Sequence, residues 1–165
     1  MPIVGVTWED AMLYAEWAGL QLPSEAQWEA AARGAGGSVF PWGNSIEPTL
    51  FAWARNPPGR KGPSPIGSYP AGAGPFGALD QLGNVWEWCI EAYRPEAYRE
   101  RAPHAVNPVQ FDPPDGPKVI RGGSWFEDDT TTIRSSLRSS VAATARRADT
   151  GFRCALWSPS KGRSS

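Results

Sequence analysis

The sequence predicts an α+β domain, on three observations: two capped helices near the N-terminus, a long middle broken by Gly and Pro, and short stretches of partly alternating apolar and polar residues further on. The first helix begins after Thr7, whose hydroxyl caps it while Asp10 reaches back, and runs to Gly19, a residue type suited to ending a helix. Ala11, Tyr14, Ala15 and Ala18 form its expected inner stripe. The second opens with the capping box Ser24-Glu25-Ala26-Gln27, continues through Trp28 and Ala32, and stops at Gly34. Pro23 fixes the entry of the chain. From Ala35 to Ala78, Gly and Pro recur every few residues, in FPWGN and NPPGRKGPSP among others, which excludes long elements. Short strands are expected at Asn84 to Ile90, Lys118 to Ile120 and Gly151 to Trp157. Arg94 to Pro117, with six prolines, reads as a second long loop.

The chain has 165 residues, enough for one self-sufficient core. One domain is expected over residues 1–158, monomeric, with a disordered tail at 159–165. The formal charge is -1 and the basic residues are dispersed, so nucleic acid and anionic membranes are not indicated as partners. No signal peptide is evident, and no apolar run reaches the ~18 residues of a membrane helix. The compartment stays open. Cys89 and Cys154, far apart and beside apolar or aromatic residues, are expected as two buried thiols, although their spacing leaves a disulfide possible. Nine Trp beside 18 Gly and 17 Pro describe a loop-rich fold pinned by aromatics.

The segment from Arg121 to Ala155 is the most informative. Its ends, RGGSW and GFRCA, read as scaffold. Between them, Phe126 to Thr150 holds five Thr, four Ser, four Ala, four Arg and three Asp, with no Gly, Pro, Cys or His to suggest a turn, a metal or a nucleophile. On composition alone this is a solvated loop in which Ile133 and Leu137 pack inward with Arg134 and Arg138 beside them.

Six blocks, PIVGVTWEDAMLYAEWAG, LPSEAQWEAAARG, FPWGN, GALDQLGNVWEW, VIRGGSW and GFRCA, occur in that order from Pro2 to Leu156, and together they resemble the formylglycine-generating-enzyme (sulfatase-modifying-factor) domain. The resemblance implies the family's variant of the C-type-lectin fold. Family members usually carry further sequence, including a strand, ahead of the block that begins here, which leaves the first strand and its pairing open. Members that convert a substrate cysteine to formylglycine with oxygen have two copper-binding cysteines shortly after the RGGS-aromatic block. Those positions fall on Glu127 and Thr132. A carboxylate and a hydroxyl do not replace two thiolates around Cu(I). A second branch resembles iron-dependent sulfoxide synthases, whose histidine ligands come from an additional helical domain, whereas this chain has only His104, in a Pro-rich loop. The expectation is a non-catalytic protein without copper or iron.

The same fold serves the variable proteins of diversity-generating retroelements, whose rewritten stretch begins near RGGSW and ends near GFR. Adenine-directed mutagenesis of an AAC codon reaches Ser, Thr, Ala, Asp, Arg, Ile, Val, Leu and Phe, which covers nearly every residue between Phe126 and Thr150. Glu127 lies outside that set and is expected to be fixed. This family frame favours a display surface over the plain loop, with Ile133, Arg134, Leu137 and Arg138 as scaffold. The expected ligand-binding residues are Phe126, Asp128, Asp129, Thr130, Thr131, Thr132, Ser136, Ser139, Ser140, Ala142, Ala143, Arg147 and Asp149. The ligand is expected to be a protein or a glycan, met by adaptable Ser and Thr, by the Asp charges and by an apolar anchor at Phe126. Trp125 reads as core. The competing readings are an oxidoreductase of the formylglycine-generating type with an atypical centre, and an accessory domain of a larger protein.

GALDQLGNVWEW resembles the family's calcium site, which implies a structural Ca2+ held by side-chain oxygens of Asp80 and Glu87 and by the carbonyls of Gly83 and Val85. The alternative is that the two carboxylates cap turns or pair with Arg. The family's other calcium site looks lost, since Ala52, Trp53 and Ala54 stand where oxygen ligands would be. Arg121 and Arg153 are expected to tie loop carbonyls or carboxylates together. Trp86 and Trp88 read as core on one side of a strand and loop support on the other.

Overall fold

The computed structural model describes residues 1–100, 108–109, 111, 113–130 and 133–156. Helix α1 spans Trp8–Trp17 and α2 spans Glu25–Arg33, and both begin as the sequence dictates. The Thr7 hydroxyl accepts from the Asp10 N–H at 3.1 Å while the Asp10 carboxylate accepts from the Thr7 N–H at 3.0 Å. Ser24 and Gln27 exchange the same pair of bonds. Each box satisfies two amides that a helix start leaves unpaired, and each cap stabilises by about 1 kcal/mol. Gly34 ends α2 at φ 62, a conformation that a side chain would strain. The inner face of α1 differs from expectation. Ala11 and Ala15 are buried, but Ala18 is exposed and Tyr14 is 51% exposed. Trp8 and Met12 pack against the inner core instead, while the Tyr14 ring meets Phe152 edge to face at 5.5 Å.

Four strands form one sheet in the order β3-β2-β1-β4. β1 (Trp86–Ala92) lies between β2 (Lys118–Arg121), antiparallel to it, and the two-residue β4 (Thr150–Gly151), parallel to it. β3 (Arg138–Val141) completes the sheet beside β2. The first expected strand starts two residues late because Asn84 sits at φ 60, outside strand conformation. The last is cut to β4 and an isolated bridge from Ala155 to Gln21, with Trp157 outside the described residues. β3 was not expected. Its sequence, RSSV, has little apolar alternation, and pairing with β2 decides its state. A single turn of helix, α3 (Ala97–Glu100), interrupts the loop read from Arg94 to Pro117. The expected tail at 159–165 lies outside the described residues.

α1 and α2 pack on opposite faces of β1. Ala11, Leu22, Trp86, Trp88 and Ile120 form one core, with Trp8 and Met12 against it. Trp28, Ala32, Cys89 and Val119 form the other. Both strand tryptophans therefore face the same core, as alternation in a strand requires, and neither serves as loop support alone. The irregular middle has its own core of Phe40, Phe51, Leu82 and Ile133. There Phe40, Trp42, Phe51 and Trp53 stack in a row at successive centroid distances of 5.6, 5.6 and 6.2 Å. Cys89 is buried, whereas Cys154 is only half-buried, and both are free thiols. Among the described residues no helix is long and apolar enough to cross a membrane.

Candidate functional site

The segment from Arg121 to Gly151 is tied down at both ends and at two points between. Arg121 is fully buried at the end of β2. Its Nη1 donates to the carbonyls of Ser136 (3.1 Å) and Leu137 (2.6 Å), and its Nη2 to the Ser135 carbonyl (3.2 Å) and to Glu29 Oε2 (2.5 Å). The guanidinium lies 5.1 Å from the centre of the Trp28 ring. Arg138 opens β3 and forks onto Glu25 at 2.5 and 3.0 Å, between the rings of Tyr93 and Tyr98. Ile133 is buried in the loop core. The acids that receive these arginines escaped the sequence reading, although Glu25 and Glu29, four apart in α2, share a helix face. Arg134 is not scaffold. It is exposed, and among the described residues its side chain bonds only its neighbour Ser136.

Phe126, Asp128 and Asp129 are exposed, and Phe126, at 69% exposure, stands edge-on to Trp125 with ring centres 5.5 Å apart. A groove of about 450 Å³ lies beneath them, lined by Ala54, Arg60, Trp125, Phe126, Glu127 and Asp128. Ser124 bridges to Asp149 at 3.4 Å, and Asp149 is forked by Arg147 at 2.8 and 2.7 Å. Burial works against ionisation of Asp149, but the Arg147 fork overcomes it and holds the acid below its ordinary pKa. The structure thus brings Phe126 and Asp128 together with Arg147 and Asp149. Ala142 is exposed, while Thr130, Ser136 and Ala143 are half-buried. Ser139 and Ser140 are half-buried within β3, at the sheet edge opposite β4, three strands from Asp149. That separation is roughly 14 Å at the usual strand spacing. Thr131 and Thr132 lie outside the described residues.

Glu127 is built into the scaffold. Its carbonyl accepts from the Ala54 N–H at 3.0 Å and its Oε1 accepts from Trp86 Nε1 at 3.2 Å. Burial raises its pKa, and neighbouring Asp149 and Asp128 add to the rise against the Trp86 bond and Arg147. A carboxyl held by an indole N–H, at one of the two positions where the family resemblance implies a copper thiolate, supplies a hard, half-buried oxygen and no soft ligand. The partner position, Thr132, is among the residues not described.

The calcium expectation meets a different arrangement. Glu87 is buried, and Arg153 donates to both of its oxygens, Nε at 2.5 Å and Nη2 at 2.6 Å, while Trp28 Nε1 donates to Oε2 at 2.6 Å. Asp80 Oδ2 accepts from the Gly67 N–H at 2.8 Å, and Gly83 bonds the Gly122 carbonyl through its N–H. A Ca2+ needs six to eight oxygens, and a dication here would share its one buried carboxylate with a guanidinium. Glu87 is thus paired with Arg153 and Asp80 caps a turn at Gly67, while the calcium expectation also calls on the carbonyls of Gly83 and Val85. Among the described residues, no group of three or more His, Cys, Asp or Glu is placed to hold a metal.

Curated relatives match along almost the whole chain. The formylglycine-generating enzyme of Streptomyces coelicolor is 37% identical over 93% of this chain and 52% of its own length. The inactive C-alpha-formylglycine-generating enzyme 2 of Mus musculus is 34% identical over 94% of this chain and 49% of its own. The chain therefore spans about half the length of the curated relatives it matches. Among solved structures, PvdO from Pseudomonas aeruginosa superposes with a TM-score of 0.78 at 27% identity, over 92% of this chain and 60% of that one. Treponema denticola variable protein 1 superposes with a TM-score of 0.68 at 18% identity, over 92% and 69%. The fold is thus the C-type-lectin-like α+β fold of these proteins. With the family model matching residues 1–157, the chain belongs to the sulfatase-modifying factor enzyme 1-like domain family.

Proposed function

We propose that this chain is a non-catalytic ligand-binding domain that presents residues 126–150 as a display surface, in the manner of the variable proteins of diversity-generating retroelements. One observation carries the reading: Arg121, Ile133 and Arg138 fasten the segment to the core while Phe126, Asp128, Asp129, Ala142 and Arg147 project to solvent. Side chains so divided can change on the outside without touching what holds the segment in place. The fold likeness to a Treponema variable protein supports the same reading. The partner is a protein, anchored on Phe126 and met by the flanking carboxylates.

Sequencing the 3′ end of the gene from many individuals of the source population tests it. Substitutions confined to the codons of the outward residues, with Arg121, Glu127, Ile133, Arg138 and Arg153 constant, are the expected result. A uniform segment would refute diversification and leave a fixed-ligand domain.

A second reading, an oxidase with an atypical centre, draws on the Streptomyces relative's name. Incubating the protein with Cu(I), oxygen and a cysteine-containing sulfatase peptide separates the two, since aldehyde formation on the peptide would establish the enzyme. The display reading expects none.

A further inference from the structure

The Phe126 groove has one wall outside the displayed segment. Ala54 and Arg60 close it from the irregular middle of the chain. Arg60 is also a wall of a neighbouring hollow of about 540 Å³, which Lys61, Ser68 and Tyr69 share. A partner lying along the groove therefore meets this loop next.

The loop carries charge of one sign. Arg55, Arg60 and Lys61 fall between positions 55 and 61, and no Asp or Glu occurs between Glu47 and Asp80. Every bond of the Arg60 guanidinium goes to a neutral oxygen. Its Nε and Nη2 donate to the Asn56 carbonyl, its Nη1 to the Gly62 carbonyl (3.1 Å) and to Ser64 Oγ (2.8 Å), and its Nη2 also to Tyr69 Oη (2.8 Å). All its N–H groups are then in use, so the cation is fixed in place while its charge stays unneutralised. Arg55 and Lys61 are exposed, with the Arg55 guanidinium 6.0 Å from the centre of the Trp53 ring. Among the described residues none of the three makes an ion pair. Asp80 touches the neighbouring chain at the Gly67 N–H, and Asp128 stands on the other wall of the groove. The groove thus has walls of opposite sign, and the cationic one lies outside residues 126–150.

We propose, on the display reading given above, that the partner offers an acidic segment bearing a large apolar side chain. The apolar group enters the groove beside Trp125 and Phe126, and the carboxylates lie over Arg55, Arg60 and Lys61. Because these cations stand outside the displayed stretch, they set a charge requirement that changes within it leave in place. Complementary charge of this kind steers and selects partners more than it adds raw affinity, which suits a constant rim beside a variable centre. A polypeptide suits the groove better than a nucleic acid, since Glu127 and Asp128 on the opposite wall would repel a uniform chain of phosphates.

NMR titration of the isotope-labelled whole chain with four probes tests the proposal. They are acetyl-Glu-Glu-Gly-Trp-Gly-amide, its Gln-Gln and Lys-Lys counterparts, and a ten-residue oligothymidylate. The acidic peptide is expected to bind about fivefold more tightly than the Gln-Gln peptide, and the Lys-Lys peptide most weakly. Raising the salt from about 0.05 to 0.5 M should erase that preference. The double variant Arg55→Gln with Lys61→Gln alters two exposed side chains and should leave the acidic and Gln-Gln peptides within about twofold of each other. Phe126→Ala should weaken both by about threefold and keep their ratio. The proposal is overturned if no peptide approaches saturation by about 10 mM, if the three peptides bind alike, or if the preference survives the double variant. It is equally overturned if F126A changes no affinity, or if the oligothymidylate binds as tightly as the acidic peptide, which would make the loop a nucleic-acid contact. Sequencing decides diversification and titration decides the charge preference, so either can fail without the other.

Discussion

Replacing Arg121 by Met removes the guanidinium while leaving an unbranched side chain over the Trp28 ring. The lost contacts are bonds to three carbonyls, of Ser135, Ser136 and Leu137, and the ion pair to Glu29, all made from a fully buried side chain. Summed at about 1.5–3 kcal/mol for each charge-assisted bond, the loss would approach the whole stability of a domain. The sum overstates the effect, because Ser136 is only half-buried and water can reach its carbonyl, and because Glu29 keeps its pair with Arg33 at 2.6 Å. The groups that lose a buried partner without ready access to water are Glu25, 3.7 Å from Arg121 and still forked by Arg138, and the Ser135 carbonyl. Removing one side of a buried ion pair costs about 3–5 kcal/mol, and that range is expected here. With a urea slope near 2 kcal/mol per molar for a chain of this size, the unfolding midpoint should fall by about 1.5–2.5 M. Arg121→Lys, which keeps the charge but one donor head, should lose about half as much. Urea unfolding followed by tryptophan fluorescence measures both. A fall of less than about 0.5 M for R121M would refute the view that this arginine fastens the segment to the core.

Three further outcomes follow from the same geometry. The fold favours the protonated form of Glu127, so the stability this group contributes is complete below its ordinary pKa of 4.5 and is lost as the pH rises through the raised value. Glu127→Gln, which retains an acceptor for Trp86, should therefore raise the melting temperature at pH 7 and have no effect below about pH 4, and equal melting at pH 7 would contradict the assignment. Glu29 and Asp149 have the opposite sign: against the cost of burial, Arg121, Tyr98 and Arg33 hold the first below 4.5, and Arg147 holds the second below 3.8. Their contribution is present above those values and fades as the pH falls through the lowered ones, so Arg147→Ala should flatten the acid limb of a melting profile below about pH 4. Gly83→Ala would place a Cβ 2.1 Å from the Ala52 carbonyl oxygen at φ 67, a loss above about 2 kcal/mol, and an unchanged urea midpoint would show that this junction yields.

Local rules carried far in this chain, and they stopped where long-range pairing began. Thr7 with Asp10 and Ser24 with Gln27 are contained within four residues, so both helix starts were legible. β3 was not, because Arg138–Val141 owes its extended state to Lys118–Arg121 and to a guanidinium that reaches Glu25 across 113 positions. Spacing places Tyr14 inward, yet it is 51% exposed and its ring rests against Phe152 from the far end of the chain, a contact that helical periodicity does not contain. The acidic residues of GALDQLGNVWEW were legible as oxygen donors for a cation or an Arg, and Arg153 as a tie to some carboxylate, but their pairing was not, since Arg153 lies 66 positions beyond Glu87. The two edges occupied by the expected binding residues were beyond the sequence for the same reason: strand order decides that Ser139 and Asp149 stand apart.

That strand order also bears on how large a ligand the surface can hold. A partner centred on Phe126 reaches Asp128, Arg147 and Asp149 within one patch, and the groove beneath gives an aromatic or aliphatic side chain a place to enter. Ser139 and Ser140, at the far edge, would be touched only by a partner broad enough to cross the sheet, roughly 14 Å away. A glycan of one or two sugars spans too little to use both edges, whereas a protein interface of ordinary size covers them together. If the gene varies at Ser139 and Ser140 as well as at Phe126 and Asp128, selection acts on a broad surface and the ligand is a protein. If variation stops at the Phe126 patch, the ligand is small, and the serines of β3 belong to the scaffold beside Arg138.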